Sequence, residues 1–431
     1  MTIGKKRIAF IMNAFPTLSE TFIVNEVIGL RKRGLDIHIW SLFVPTEDKE
    51  NPELKEISRT TKYLTDAFRI APVIRAHSFF LFTYPRRYLK ILLFCLKHRQ
   101  TTGRFVFWPK FRTTEDRQDL LLHFILALPV AHRMRGQSYD LLHAHFADAA
   151  ASLTMLVSRL LNIPYSMTMH AFDVFIPQVN FKEKFQNAEF IITCTKYNKT
   201  YLQEHYNSLD TDKIHVVYHG IDLDKFSRKR QRRQEPPVIL AVGRLIPKKG
   251  LPVLIQACKL LKEAGYEFKC RIIGDGPLRP RLEMIIKLEK LVDFIELAGA
   301  VMPSQIIDEY ARATLFALPC MVEESGNRDG IPNVIAEALA MNLPVISTNV
   351  SAIPELIEHQ KTGFLIAPGD YQDLFENMRM LLDAPSKRRR IGTQGRAKVE
   401  QVFDAREKMD QLFKLYQSKI QALYGLNENR K

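Results

Sequence analysis

The sequence predicts an α/β protein built from two doubly wound, parallel-sheet domains, and three observations carry that prediction. Short β-rich runs alternate with stretches of helical periodicity, the pattern of repeated βαβ units. The chain has 431 residues, more than one hydrophobic core usually supports. The alternation stops once, at Ser227-Arg-Lys-Arg-Gln-Arg-Arg-Gln-Glu-Pro-Pro237, where apolar periodicity gives way to like charges and a double proline. That is the composition of an exposed hinge. It divides the chain into an N-terminal domain over 1–226, a linker over 227–237, a C-terminal domain over 238–405 and a terminal helix over 406–431.

The elements follow in order. Arg7-Ile-Ala-Phe-Ile-Met12 is a buried strand by composition, followed by a turn over 13–19. Residues 20–33 have apolar positions at helical spacing and stop at Gly34. Further strands are expected at 36–42, 140–145, 165–169, 188–195 and 214–218. Beyond the hinge they recur at 238–242, 270–274, 294–297, 314–318 and 344–347. Helices are expected at 251–263, 279–288 and from Arg406 to about Tyr424.

Bulk composition excludes several classes. With 46% hydrophobic and 25% charged residues the chain is neither disordered nor fibrous. Its five cysteines are odd in number, widely spaced and set in apolar runs, which fits reduced buried thiols rather than a disulfide framework or a metal site. The apolar run after the basic start is too short for a signal-peptide core, and no stretch is long enough for a spanning helix, so a cytoplasmic protein is expected.

The net charge of +15 is unevenly placed: residues 69–112 hold ten Lys/Arg, no Asp or Glu, and ten aromatics. A helical insertion with inward-packed rings would account for this. The favoured reading is an interfacial patch, with basic residues against anionic headgroups and aromatic residues at the acyl boundary. Nucleic acid is disfavoured because no recognition module accompanies the charge.

Two motifs carry chemistry. Gly243-Arg-Leu-Ile-Pro-Lys-Lys-Gly250 places Arg244, Lys248 and Lys249 in a loop leaving a buried strand. Arginine grips phosphate bidentately and lysine acts as a point charge; on charge alone either lysine could serve. Asp329-Gly-Ile-Pro-Asn333 opens a helix that carries Glu337. Gly330 allows close backbone approach, and free amides at that helix start suit an anion. Plain helix capping by Asp329 and a solvated Glu337 are the structural alternatives. His143 and His145 alternate along one strand without a third ligand at suitable spacing, so no metal is expected. Asp210-Thr-Asp212 and Asp222-Leu-Asp224 imitate a metal-binding acid pair but fall where turn and capping roles are expected.

Read together, Gly243 to Gly250, Ile273-Gly-Asp-Gly-Pro277, the acid-X7-Glu unit, Tyr218-His-Gly-Ile-Asp222 with Phe226, Ile353-Pro-Glu-Leu-Ile357 and Gly363-Phe-Leu-Ile-Ala-Pro368 resemble the large retaining glycosyltransferase family four. Phe15-Pro-Thr-Leu-Ser-Glu-Thr-Phe22, His143-Ala-His145-Phe and Thr168-Met-His170-Ala-Phe-Asp173 are similar to its branch making bacterial exopolysaccharides such as colanic acid.

The resemblance implies a GT-B fold: two Rossmann-like domains facing across a cleft, with the C-terminal helix returning to the N-terminal domain. It implies a nucleotide sugar as donor. The basic aromatic segment at 69–112 favours a lipid-linked oligosaccharide acceptor at the inner face of the cytoplasmic membrane, and the cations with the helix-start amides call for no metal or other cofactor. By motif, Arg244 and Lys249 would neutralise the departing diphosphate. Asp329 would face the transferred sugar, Gly330, Ile331, Pro332 and Asn333 would offer amides, and Glu337 would hold the ribose. His170, with Asp173 behind it, would sit near the reacting face. Ser19 and Glu20, with His145, would line a donor or acceptor loop. Where the family usually has Glu, this chain has Asp329, which keeps the charge and shortens the reach. Two rivals accompany this reading: a nucleotide-sugar epimerase, and a homologue that binds a nucleotide sugar without turnover.

Overall fold

The computed structural model describes residues 6–17, 20–45, 52–98, 119–176, 178–227, 235–302 and 305–428. Ser19, residues 99–112 of the basic segment and most of the expected hinge lie outside them. Two compact units are formed. The first takes residues 1–193, 201–217 and 409–431, and the second takes 194–200 and 218–408.

The first unit runs β1 (Arg7–Ala14), α1 (Thr21–Lys32), β2 (Asp36–Phe43), α2 (Pro52–Thr60), β3 (Thr61–Tyr63), α3 (Ile70–Thr83), α4 (Pro85–Lys97), α5 (Leu120–Met134) and β4 (Leu141–His145). It continues with α6 (Ala149–Leu161), β5 (Tyr165–Met169), α7 (Ala171–Phe175), α8 (Phe181–Asn187), β6 (Ile191–Thr193), α9 (Lys196–His205), which counts with this unit from Tyr201 onward, and β7 (Ile214–Val216). Its sheet has the order β3-β2-β1-β4-β5-β6-β7, parallel throughout. A central parallel strand is covered on both faces and therefore reads as a continuous apolar run. Accordingly Ile8, Ala9, Phe10 and Ile11 are all fully buried.

The second unit contains β8 (Val238–Val242), α10 (Leu251–Glu263), β9 (Lys269–Ile273), α11 (Arg279–Leu288), β10 (Ile295–Gly299), α12 (Ile306–Arg312) and β11 (Leu315–Leu318). Then come α13 (Asn333–Ala340), β12 (Val345–Thr348), α14 (Ile353–Leu356), β13 (Phe364–Ile366), α15 (Tyr371–Asp383) and α16 (Pro385–Val402). The order β10-β9-β8-β11-β12-β13 is again wholly parallel. In both sheets the order reverses beside the first strand, between β1 and β4 and between β8 and β11. Ligands of doubly wound sheets bind beyond the carboxyl ends of strands at such a switch point.

The final helix, α17 (Ala405–Glu428), lies with the first unit from Met409 onward. Its Leu412, Tyr416 and Ile420 join the apolar cluster of Phe10 and Val27, and Asp410 pairs with Arg33 at 2.6 Å. Two strands escaped sequence reading. β3 and β13 are three residues each and stand at sheet edges, too short for a period-2 pattern to register.

Candidate functional site

In the second unit, β8 ends in a loop whose shape depends on glycine. Gly250 has φ +64°, and a Cβ there would stand 1.8 Å from the Pro319 carbonyl oxygen, directly after β11. Gly274 admits the Gly243 carbonyl in the same way, at 2.1 Å from a would-be Cβ. The loops at the switch point are thereby pressed together. A single 3-10 turn, Pro247–Lys249, then aims both lysines at the loop after β11. Lys248 Nζ stands 3.1 Å from Asp329 Oδ1, and Lys249 Nζ stands 2.7 Å from Asp329 Oδ2. All three side chains are largely buried.

Both lysines therefore reach the acid, so this contact does not choose between them. Glu323 fixes the loop, accepting from the Lys248 backbone N–H at 3.2 Å and from Asn327 Nδ2 at 3.1 Å. Burial alone would raise the Asp329 carboxyl, but Lys249 and Lys248 outweigh it and hold it below the usual range. Burial likewise pulls the Lys249 ammonium down, and Asp329 more than restores it. Arg244 is exposed on the same loop, close enough for its charge to act on Lys249. Two ammoniums and a guanidinium against one carboxylate leave the cluster cationic.

Four residues beyond Asp329, helix α13 begins at Asn333, with Pro332 at its N-cap (φ −62°) and Gly330 buried just before. Glu337 lies one turn in and is not a solvated residue. It accepts a hydrogen bond from the Tyr310 hydroxyl at 2.8 Å, and burial raises its carboxyl while Tyr310 opposes that rise. Tyr310 comes from α12, and no feature of the sequence marked it.

In the first unit, β5 ends at His170, the N-cap of α7. Asp173 accepts from the His170 backbone N–H at 3.1 Å. The His170 ring is enclosed by Phe146 at 4.6 Å, Phe22 at 5.0 Å and His145, stacked at 5.8 Å. His145 is fully buried, with Nε2 3.5 Å from Glu26 Oε1 on α1. Glu26 was not expected here, although a carboxylate amid the buried stripe of Ile23, Val24, Val27 and Leu30 was the available signal. Glu20 stands at the N-cap of the same helix.

Beneath His170 lies a buried charge network. Asp148 caps α6, accepting from Ala150 N–H at 2.9 Å, and takes a second hydrogen bond from Asn13 Nδ2 across the β1–β4 switch point. Lys184 Nζ donates to the Ala147 carbonyl. Burial pushes Asp148 up to about 6. Burial and the neighbouring Asp148 push Asp173 up to about 8. Burial draws Lys184 down to about 8 against the pull of both acids.

Glu26, His143 and His145 bring their ligand-type atoms within 4.8 Å of one another, so the structure supplies the third group that spacing did not reveal. Both His143 ring nitrogens are engaged by hydroxyls, Nδ1 with Ser166 at 2.8 Å and Nε2 with Thr168 at 3.0 Å. Burial first, then His145, keeps that imidazole neutral. The two acid pairs do serve as caps: Asp210 accepts from Asp212 N–H, and Asp222 from Asp224 and Lys225 N–H. None of the five cysteines forms a disulfide, and all are buried. Among the described residues no helix is long and apolar enough to cross a membrane.

Residues 222–398 match the family model described as Glycosyl transferases group 1, and residues 84–225 that of Glycosyltransferase Family 4. The chain is 27% identical over 388 residues to a protein of Escherichia coli (strain K12) carrying the name colanic acid biosynthesis glycosyltransferase WcaL, covering 86% of this chain and 89% of that one. It is 40% identical over 195 residues to the amylovoran biosynthesis glycosyltransferase AmsK of Erwinia amylovora, covering 45% of this chain and 48% of that one. Among solved structures, Anabaena Alr3699/HepE in complex with UDP-glucose superposes with a TM-score of 0.67 at 16% identity, covering 96% of this chain and 99% of the other.

Proposed function

This chain belongs to the GT-B glycosyltransferases, and from that premise we propose that it moves a hexosyl unit from a nucleotide-diphosphate sugar to a lipid-linked saccharide. The product is a bacterial exopolysaccharide or cell-surface glycan, made at the cytoplasmic face of the membrane with retention of configuration. Its likeness to WcaL and AmsK supports the pathway class, and the UDP-glucose complex of a fold neighbour supports the donor class.

The observation that carries this reading is the pair of ammoniums held on Asp329 at the switch point of the second sheet. A departing diphosphate needs positive charge where its own charge develops, in a site preorganised before the reaction. Lys249 and Arg244 supply it, with Lys248 adjoining. Asp329 keeps the lysines charged and in place until donor phosphate shares them, and then faces the sugar. The amides from Gly330 to Asn333 add donors of fixed direction. Glu337, oriented by Tyr310, accepts from a ribose hydroxyl. By motif, His170 of the first unit is assigned to the transferred sugar, and its backbone N–H is held by Asp173. The acceptor hydroxyl attacks the anomeric carbon on the face the diphosphate leaves, and a phosphate oxygen collects its proton. The cation set makes a divalent metal unnecessary for this step.

The test is a donor panel scored for nucleoside diphosphate release, with and without a lipid-linked acceptor. Release that increases with acceptor supports transfer. Tight donor binding without release from any donor identifies a binding homologue instead, and an altered sugar still attached to its nucleotide identifies an epimerase.

A further inference from the structure

Helices α3 and α4 present to solvent what globular proteins normally hide. On α3, Ile70, Ile74 and Phe82 are 80%, 60% and 81% exposed; on α4, Leu89, Leu93 and Leu96 are 49%, 64% and 48% exposed. Each trio falls on one side of its helix, interrupted on α3 by exposed Ser78, so these are two apolar faces rather than scattered surface residues. They are not surplus core. Ala76 and Phe80 of α3 and Ile91 and Cys95 of α4 are the buried positions on those helices. The remaining rings are engaged inside the unit: Tyr88 packs on Phe124 at 5.2 Å, Arg135 lies over Phe79 at 3.9 Å, and Arg159 over Phe94 at 3.7 Å. Among the described residues most aromatics of this segment thus turn inward, and the outward apolar side chains are chiefly aliphatic.

On α3 and α4 themselves the charge is of one sign, with Asp66 beside Arg69 before α3 and Glu183 beside His98 after α4. Arg75, Arg86, Lys90 and Lys97 are exposed, and from 69 to 98 the chain has no Asp or Glu. Against a second copy of the same face, these bases would meet their own kind across a two-fold axis. Against an anionic bilayer each base is attracted while the apolar stripes enter the acyl boundary. At 14 and 13 residues the helices are too short to span, and they suit lying in the interface plane.

We propose that the outer faces of α3 and α4 form an in-plane docking surface for a bilayer of anionic phospholipid. The link to the proposed function is the lipid-linked acceptor; docking itself does not depend on donor chemistry. The experiment floats the full chain with vesicles of equal parts phosphatidylglycerol and phosphatidylcholine, against pure phosphatidylcholine, at low and high salt. The anionic vesicles should carry roughly tenfold more protein or better, with the excess lost at high salt. Leu93→Ser with Leu96→Ser, and separately Arg86→Glu with Lys90→Glu, should each cut binding by about tenfold or more at an unchanged melting temperature. Absent flotation, binding indifferent to lipid charge, or a concentration-dependent dimer abolished by the leucine variant would overturn the proposal. Nucleotide release measured on the same preparations separates the two ideas, because a wild-type chain that releases nucleotide but does not float defeats only this one.

Discussion

The two sheets share one topology and fill their switch points with opposite chemistry. In the first, Asn13 bridges to Asp148, which also caps α6, and the neighbouring acids and lysine are wholly buried. In the second, two lysines meet Asp329 in a loop still open enough to leave Arg244 exposed. Burial dominates the first cluster and lifts Asp148 and Asp173 toward neutrality, whereas cations dominate the second and keep Asp329 ionised. The same backbone location thus gives a near-neutral scaffold under His170 in one unit and a cationic anion seat in the other. Charge count and solvent access decide the difference, not fold.

Replacing one acid is the strongest way to break this contrast. Asp329→Asn leaves two largely buried ammoniums without their counter-ion and should lower stability by about 3 kcal/mol. The matching Asn13→Ala change should cost only about 1 kcal/mol, because Asp148 keeps the Ala150 amide. Denaturant titration of the two variants checks the ratio, and equal losses would erase the distinction. Next in size, Lys249→Ala should reduce turnover about a hundredfold, or ~2.7 kcal/mol, the usual cost of removing one donor to a developing anion. Steady-state nucleotide release measures it. A drop confined to donor affinity would instead make Lys249 a ground-state binder.

The buried network predicts a pH dependence of the opposite sign to a salt-bridged acid. The carboxyl of Asp173 is held near 8 in the fold, far above an unfolded aspartate at about 3.9. Between those values the folded chain keeps a proton the unfolded chain has lost, so this group's contribution falls as pH rises. Wild type should therefore lose melting temperature relative to Asp173→Asn as pH rises from about 4 towards about 8. Asp329, held low by its lysines, acts the other way: its stabilising contribution is lost as pH falls through its depressed value.

Much of this was legible from residues alone. β8 falls where composition puts it, because a buried parallel strand is a continuous apolar run, and β5 keeps its expected bounds although Ser166 and Thr168 interrupt its apolar run. The Lys249 and Asp329 loops were legible through glycine and proline spacing. Their mutual contact was not, since it depends on eighty residues of intervening chain folding Pro319 onto Gly250. Glu26, Lys184 and Tyr310 were hidden for a related reason. Each is a single polar residue inside an apolar or mixed stripe, and only tertiary packing shows which groups its polar atoms meet.

Tyr310 gives the smallest and sharpest prediction. Its hydroxyl is fully buried and donates to Glu337 at 2.8 Å, so it acts on a nucleotide only through that carboxylate. Tyr310→Phe removes the hydroxyl that donates to Glu337 and, at 3.3 Å, reaches the Val334 carbonyl, leaves the ring's packing intact and lets burial push Glu337 further up. An ionised carboxylate accepts from a ribose hydroxyl more strongly than the neutral acid does, so the loss should grow as pH falls. Near neutrality the donor KM should rise about fivefold, or ~1 kcal/mol, with kcat unchanged. A 2′,3′-dideoxyribose donor should bind wild type and variant alike, whereas an equal rise in KM for both donors would remove Glu337 from the ribose and return it to a structural role in α13.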